Sequence, residues 1–428
     1  MRAREARILR EQDAMALLGS DAPSGILRQV LASRGWELED WRLESLHHRP
    51  GAGVTGVYSV AVRPARRPRG RPDRLERAPA YACITSGSVV LPSDSVAVVR
   101  RGAGDLAVWL HPADPLLPGL PLAVDAERAT AFAFGPGHDP ATTRLELRSY
   151  RPLRRAVVLA VNGEDRRYLK VVRRHGAAPL AAKHRMLRAA GVPAPLLAGE
   201  PVQDVVVTHP APGTPLAELL MRDGAADVDP RRLVQVLASL PPAVLSLPVR
   251  PPWAARVRDY GEGAAVALPA RAARIRRLAA GIDDVVRSSD SGPLVPTHGD
   301  FYEGNLLITD GAVTGLLDVD ALGPGRLVDD LACFLGHVAV LPGLHAGYAR
   351  VPQALLRFLR VFDEHVDPAA LRSRAAAVSL TLVAGARRRG TDDGGAAEAL
   401  SRLEVAEQFL ADAIALGPSG TAGRSGRR

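Results

Sequence analysis

Five polar side chains flank one short stretch of the chain, "LLITDGAVTGLL". Its two apolar runs surround a "TDGA" turn, and this pattern predicts a small β-hairpin. The polar side chains are His298, Asp300 and Asn305 before the hairpin, and Asp318 and Asp320 at its end. Because a hairpin brings its two ends together, we expect these side chains to meet at one place.

An aspartate, an asparagine and a second aspartate that meet in this way suit phosphoryl transfer. One carboxylate can orient and deprotonate a hydroxyl, while an amide oxygen and another carboxylate hold Mg²⁺. Hard oxygen ligands favour magnesium, and the absence of nearby thiols or paired imidazoles in the sequence argues against zinc. Asp320 has two interpretations, since it either extends the metal site or solvates the strand end.

Lysine is rare in this chain, and its placement is informative. Only Lys170 and Lys183 are lysines among the 55 lysine and arginine residues. Lys170 lies in "DRRYLKVVRR", a short apolar segment that predicts a strand. Chance is one explanation, and the other is that this position needs a compact ammonium group that a forked guanidinium cannot replace.

Bulk composition excludes several classes of protein. The 428 residues suffice for two or three domains with proper cores. Cys83 and Cys333 match no zinc or disulfide spacing, which favours a reducing cytoplasm. No apolar run approaches the ~18 residues that span a membrane.

The net charge of +9 comes partly from "RPARRPRGRPDRLER", residues 63–77, but this stretch has no aromatic residue and no helical period. We therefore expect a solvated loop and no nucleic-acid partner.

Two segments of the chain are similar to one another. The first contains "RLESLHHRPGAGVTGVYSVAV" and "AYACITSG", and the second is "RLELRSYRPLRRAVVLAVNGEDRRYLKVVRR". Each predicts three strands, and "NGED" in the second is a strong hairpin signal. Aligned on their tyrosines, the segments place Cys83 opposite Lys170, so the first segment lacks the lysine. Duplication and chance similarity both explain the pattern, and in either case we expect the first segment to form a cap or interface.

Beyond Lys170 the periodicity becomes mostly helical. The segment "APLAAKHRMLRAAG" predicts a helix that ends at Gly191, and "DVVVT" predicts a buried strand. From Leu216 onward the chain predicts helices, interrupted by the hairpin described above. A β-rich front half joined by a short Pro/Gly-rich crossing to a helical back half predicts a two-lobed arrangement.

These motifs together resemble a known family, the aminoglycoside phosphotransferase-like kinases, which are small-molecule relatives of the protein kinases. "HGDFYEGN" resembles the catalytic loop, "GLLDVD" the metal-binding strand and "GPGRLVDDLA" the helix start that follows. "YLKVVRR" resembles the nucleotide-binding strand, and "HPAPGTPL" the crossing between lobes. The resemblance covers residues 144 to about 415. It implies an α+β, protein kinase-like two-lobed fold, preceded by a small α+β cap domain as in maltokinase-like members.

The resemblance also implies roles for individual residues. Asp300 would be the catalytic base, and His298 would brace the loop rather than act chemically. Asn305 and Asp318 would be the magnesium ligands. Asp330 would hold the catalytic loop through backbone amides, unless it is only a favourable charge at a helix N-terminus. The residues implied in nucleotide binding are Lys170 and Arg154 at the phosphates, and Val207 and His209 along the adenine pocket.

The predicted domains follow from the same comparison. A cap domain is expected over residues 1–140, an N-lobe over 141–210, a helical C-lobe over 211–416 and a disordered basic tail over 417–428. The implied function is ATP- and Mg²⁺-dependent transfer of the γ-phosphate to a hydroxyl of a small molecule. A sugar, an aminoglycoside or a related metabolite would be the acceptor.

Two features depart from the family pattern. The helix after Lys170 contains no acid where a glutamate usually pairs with the lysine, and Leu180 or Lys183 occupies that region. The phosphate loop "SYRPLRRAV" has no glycine, although its arginines can meet phosphates directly. A catalytically silent, kinase-like module that binds a nucleotide or another ligand is therefore the alternative. We expect Lys183 to extend from a helix face into solvent, where arginine would replace it without effect.

Overall fold

A computed structural model of the chain describes residues 2–49, 51–65, 78–87, 95–100, 104–386 and 393–417. The chain groups into two compact units. Met1–Ala181 and Leu197–His209 form the first, and Ala182–Leu196 and Pro210–Arg428 form the second. Most of the basic 63–77 stretch and almost all of the predicted tail lie outside the described residues.

The first unit begins with two helices and a five-stranded antiparallel sheet, whose strand order is β1-β2-β3-β5-β4. These elements are α1 Arg2–Leu18, α2 Pro23–Ser33, β1 Trp36–Arg49, β2 Gly53–Pro64, β3 Tyr81–Thr85, β4 Val96–Val99 and β5 Leu106–Leu110. Leu18 and Leu31 of the helices are fully buried with Tyr58 and Ile84 of the sheet in one apolar core. Burial of this face of each helix holds both helices against the sheet.

A second antiparallel sheet follows in the same unit, with the order β6-β7-β8-β9. The elements here are α3 Leu120–Ala123, α4 Ala126–Ala133, β6 Arg144–Arg151, β7 Arg155–Asn162, β8 Asp165–Val172 and β9 Val205–Thr208. The predicted hairpin is confirmed: Asn162 pairs with Asp165, and Gly163 adopts a positive φ of 59° in the turn. Glycine adopts this left-handed conformation without steric cost.

The two similar sequence segments form similar sheets. Each contributes an antiparallel meander of three strands, and a later strand pairs with the third strand. Cys83 lies opposite Val57 in the first sheet, and Lys170 lies opposite Val157 in the second. The predicted cap and N-lobe thus each contain one sheet, and both sheets belong to the first unit. Whether the two segments arose by duplication of one ancestral segment stays a hypothesis.

The second unit combines short strands with helices. Its strands are β10 Thr214–Pro215, β11 Leu294–Thr297, β12 Leu306–Thr309, β13 Ala312–Leu316 and β14 Gly323–Arg326. The "TDGA" hairpin prediction is confirmed, because Thr309 pairs with Ala312 and both turn residues, Asp310 and Gly311, have positive φ. Two successive residues of this conformation match the right-handed twist of the strands that they join.

Helices make up most of the second unit and surround a continuous apolar core. They are the end of α5 Ala177–Ala189, then α6 Leu216–Asp223, α7 Pro230–Ala238, α8 Val257–Ala267, α9 Ala272–Ser288, α10 Leu327–Val340, α11 Val351–Phe362, α12 Pro368–Val383 and α13 Asp393–Leu416. Phe301 after β11 is fully buried, and Phe334 of α10 and Phe358 of α11 are fully buried with it. Helix α12 is buried on nearly every side, as its Ala-rich sequence permits.

The predicted α+β class, with a β-rich front and a mostly helical back, is confirmed. In the described parts of the chain, every helix is too short or too polar to cross a membrane.

Candidate active site

The catalytic loop predicted from "HGDFYEGN" follows strand β11 directly. Asp330, in the first turn of α10, accepts hydrogen bonds from the backbone N–H groups of His298 and Gly299 at 2.7 and 2.8 Å. Its carboxylate is 1% exposed. The expected anchoring of the loop by Asp330 is therefore confirmed, and the interpretation as a mere helix-end charge is insufficient.

Burial raises the pKa of Asp330 to about 7, while the two donated amide hydrogens oppose this rise. Ionised carboxylates are the stronger acceptors for backbone amides. The two hydrogen bonds thus favour the charged form, and they satisfy two donors that would otherwise be buried without partners.

His298 braces the loop from another side. Its ring Nε2 lies 2.9 Å from the main-chain oxygen of Leu317, just after β13. A carbonyl oxygen only accepts, so Nε2 is the protonated nitrogen and donates this hydrogen bond. The side chain is fully buried, which suits the bracing role that the resemblance implies.

Gly299 cannot carry a side chain at this position. Its φ is +78°, and a Cβ atom would lie 2.6 Å from the main-chain oxygen of Ala321. The glycine therefore permits close approach between the catalytic loop and the segment after Asp318.

Asp300, Asn305 and Asp318 are brought together by backbone contacts. The Asn305 side-chain Nδ2 donates to the main-chain oxygen of Asp300 at 2.9 Å. The N–H of Leu317, the residue before Asp318, donates to the main-chain oxygen of Asn305 at 2.8 Å. The hairpin of β12 and β13 thus joins the two ends of the predicted site, as the sequence pattern indicates.

Asp318 occupies an unusual backbone conformation. Its φ of 56° and ψ of 52° are left-handed, and a short 3₁₀ turn begins at the next residue. Aspartate and asparagine are the non-glycine residues that tolerate this region best. The chain turns sharply here, at the carboxylate that the family pattern assigns to the metal.

The donor set at this place fits magnesium bound together with substrate phosphates. Among the described residues, no group of three or more His, Cys, Asp or Glu side chains lies close enough to hold a metal ion. Asn305 uses its amide nitrogen on Asp300, which leaves the amide oxygen as a ligand beside the carboxylate of Asp318. Mg²⁺ accepts one or two protein oxygens and completes its shell with phosphate oxygens and water.

The position of Lys183 differs from the sequence-based prediction. It lies on α5, and its Nζ donates a hydrogen bond to the main-chain oxygen of Asp320 at 2.7 Å. The side chain is half-buried. The expectation that Lys183 extends into solvent is therefore wrong, because the helix presents it to the segment that follows Asp318. One feature of the sequence could have predicted this contact: Lys183 lies in the region where the family pattern has a glutamate that faces the site.

Glu303 is a second residue that the sequence reasoning passed over. It lies in the 3₁₀ turn of the catalytic loop and is 6% exposed. Its Oε2 atom is buried without a hydrogen-bond partner. Burial, with a smaller contribution from the charge of Asp300, raises the pKa of Glu303 to about 7. A carboxyl group with a raised pKa carries less negative charge near neutral pH, which reduces its repulsion with Asp300.

The predicted nucleotide-binding residues belong to the second sheet of the first unit. Lys170 on β8 pairs with Val157 and Val206 on the neighbouring strands. Arg154 is exposed in the turn before β7. Val207 on β9 is buried, and its main-chain oxygen accepts from the N–H of Ala198, so that carbonyl already has one partner.

His209 follows β9 and is half-buried. Burial lowers its pKa, and the nearby charge of Arg167 lowers it further. A neutral ring is therefore favoured beside this arginine-rich strand. The roles of these four residues in nucleotide binding stay predictions.

A family model described as the phosphotransferase enzyme family matches residues 146–362, just over half of the chain. The chain belongs to this family. The matched region includes Lys170, the catalytic loop and Asp318, and it begins after the first sheet. The predicted relationship is therefore confirmed. No curated protein matches the chain.

Several solved structures are similar over most of their own length. A choline/ethanolamine kinase family protein from Mesorhizobium loti is 18% identical, with coverage of 68% of this chain and 97% of that chain and a TM-score of 0.46. A spectinomycin phosphotransferase solved with ADP and spectinomycin is 13% identical, with coverages of 64% and 92% and a TM-score of 0.43. A macrolide 2'-phosphotransferase from Brachybacterium faecium is 18% identical, with coverages of 65% and 98% and a TM-score of 0.36.

Replacement of Lys183 tests the importance of its contact with Asp320. Lys183→Met removes the charge-assisted hydrogen bond that holds the segment after Asp318, so phosphotransfer should fall by about tenfold or more, equivalent to ~1.4 kcal/mol of activation free energy. Lys183→Arg should also lower the rate, because a planar guanidinium cannot place one donor where Nζ lies. The matched control is Arg188→Met, which removes a positive charge from an exposed position on the same helix. Equal rates in Lys183→Met and Arg188→Met would contradict the prediction.

Proposed function

We propose that the protein transfers the γ-phosphate of ATP to a hydroxyl of a small molecule, with Mg²⁺ as the metal. One observation carries the proposal: the contacts Asn305 Nδ2 to Asp300 O and Leu317 N to Asn305 O hold a potential base beside two potential metal ligands. Membership of the phosphotransferase family supports the same reaction.

The reaction assigns one task to each side chain. Asp300 orients the acceptor hydroxyl and takes up its proton as the hydroxyl oxygen attacks the γ-phosphorus. The bond between that phosphorus and the β–γ bridging oxygen breaks, and ADP leaves. Asn305 and Asp318 would hold Mg²⁺, which neutralises charge on the phosphates when bound. Asp330 and His298 keep the loop rigid, so the carboxylate of Asp300 is positioned before substrate arrives.

Four residues of the first unit are proposed nucleotide contacts, as the family resemblance implies. We assign Lys170 to the α- and β-phosphates and Arg154 to the phosphate chain, while Val207 and His209 would border the base. Sugars, aminoglycosides and related metabolites are the proposed acceptor class. The alternative, a nucleotide-binding module without transfer activity, draws support from the glycine-free turn at residues 151–155 and the acid-free helix α5.

Asp300→Asn tests the chemical step. Loss of the base should lower turnover by ~10²–10⁴-fold while ATP affinity changes little. ADP release would be measured against a panel of sugars, aminoglycosides and choline, and ATP binding by calorimetry. Asp310→Asn, an equivalent change in the exposed turn of the β12–β13 hairpin, should behave like the parent protein. Full phosphotransfer by Asp300→Asn would remove Asp300 from the mechanism.

Asp318→Asn tests the metal site without disturbing the fold, because asparagine also tolerates the left-handed backbone at this residue. ATP should stabilise the parent protein only when Mg²⁺ is present, by ~2.7 kcal/mol at 100 times the dissociation constant. In Asp318→Asn this Mg²⁺-dependent stabilisation should largely disappear. Asp310→Asn is the matched control, since residue 310 has a φ of 49°. Undiminished stabilisation in Asp318→Asn would locate the metal elsewhere.

Lys170→Arg tests whether this position needs an ammonium group. The guanidinium preserves the charge but has a planar, bulkier head, so we expect turnover to fall about tenfold or more, equivalent to ~1.4 kcal/mol. The reciprocal change Arg166→Lys, at an exposed position of the same strand, should have no effect. If Lys170→Arg matched the parent in turnover and ATP affinity, the rare lysine would be a chance occurrence.

A further inference from the structure

The turn between β6 and β7, residues 151–155, is held in an unusual conformation. Leu153 has a φ of +61°, a left-handed conformation that a bulky side chain rarely adopts. Its N–H donates to Asp114 Oδ2 at 2.8 Å, and its main-chain oxygen accepts from Arg173 Nε at 2.7 Å. Both peptide groups of this residue are therefore fixed by side chains from elsewhere in the chain.

Asp114 lies in the loop after β5, which is the last strand of the first sheet in sequence order. It is 4% exposed and accepts three hydrogen bonds. The Tyr150 hydroxyl and the Leu153 N–H reach Oδ2, each at 2.8 Å, and the Leu116 N–H reaches Oδ1 at 2.9 Å. Burial raises the pKa of this carboxyl, and the hydrogen bonds that it accepts oppose the rise.

The network extends into the core of the first sheet. Trp109 Nε1 donates to the Tyr150 hydroxyl at 3.1 Å. The Tyr150 hydroxyl therefore accepts from the indole of Trp109 and donates its own proton to Asp114. Tyr150 and Leu153 also pack against the buried cluster of Val57, Cys83 and Trp109. A polarised chain of hydrogen bonds and an apolar contact thus join the first sheet to the turn of the second sheet.

We propose that Asp114 is a positioning residue for nucleotide binding, through which the first sheet holds the turn at residues 151–155 ready for the phosphates. The inference rests on the proposed function, because Arg154 and its neighbours in this turn are the assigned phosphate contacts. A glycine loop reaches such a conformation at an entropic cost on binding. Here the left-handed residue is a leucine, and the first sheet enforces its conformation in the free protein.

This role differs from that of an ordinary structural contact. A contact that only stabilises the fold would change the thermal midpoint and leave the kinetic constants alone. A contact that prepares the turn for phosphates should raise the KM for ATP and leave kcat at saturating ATP nearly unchanged, because Asp114 takes no part in the chemical step.

The test uses the full chain and three variants. Asp114→Asn preserves shape but weakens the acceptor, and Tyr150→Phe removes one donor while leaving the carboxylate in place. Tyr58→Phe is the matched control, because its hydroxyl makes a buried hydrogen bond to the Leu18 main-chain oxygen at 2.8 Å, within the core of the first sheet. Each variant would be assayed for thermal midpoint, hydrogen exchange of the peptide covering residues 150–156, ATP affinity, KM and kcat.

We expect Asp114→Asn and Tyr150→Phe to accelerate exchange at the turn and to raise the KM for ATP by about tenfold, with kcat within about twofold. Tyr58→Phe should lower the thermal midpoint without a change in KM. If Asp114→Asn does not fold, Tyr150→Phe carries the test with the same expected result.

Unchanged KM in Tyr150→Phe despite faster exchange would overturn the inference, and so would an equal rise in KM in Tyr58→Phe. A parent protein that binds ATP and transfers phosphate, with variants that do so equally well, would refute the positioning role alone. A parent that binds no ATP would instead refute the proposed function, and the positioning role with it.

Discussion

The candidate active site depends on one buried carboxylate. Asp330 accepts the N–H groups of His298 and Gly299, the two residues that precede Asp300. Hydrogen bonds to a charged group contribute ~1.5–3 kcal/mol each, and without the carboxylate two amide hydrogens would be buried without partners. Because both amides lie directly before Asp300, this anchor also fixes the backbone position of the proposed catalytic base. The apolar packing of α10, through Phe334 and its neighbours, holds the anchor in place.

Hydrogen bonds to backbone N–H and C=O groups around that anchor position the rest of the site. His298 donates to the Leu317 carbonyl, and the Leu317 N–H donates to the main-chain oxygen of Asn305. This one residue, just after β13, thus contacts both the start and the end of the loop. Lys183 then binds the main-chain oxygen of Asp320, beyond the left-handed turn at Asp318. Side chains outside the proposed reaction, Asp330, His298 and Lys183, thus hold the backbone around the residues that the proposal assigns to it.

The first unit also contains a buried carboxylate, Asp114, that accepts backbone N–H groups. Its two sheets have similar meanders, but only the second carries a lysine on its third strand, and the first has Cys83 at the comparable position. Asp114, in the loop after β5, binds the turn of the second sheet at Leu153, a residue that would be strained without such support. A buried carboxylate that accepts backbone amides therefore orders a loop in each unit.

The sequence by itself determined the features that depend on neighbouring residues. Asp310-Gly311 and Asn162-Gly163 specify their hairpins because glycine, and to a lesser extent Asx residues, adopts positive φ locally. Apolar periodicity specifies the main helices, and the order Asp300, Asn305, Asp318 around one hairpin specifies which groups meet. Only the tertiary structure decided the contacts of Lys183 with Asp320 and of Asp114 with Leu153. Those partners are far apart along the chain, and a main-chain oxygen or N–H is the partner in each pair. Every residue carries a main-chain oxygen and every residue except proline an N–H, so no pattern of residue types can reveal which of them a distant side chain will contact.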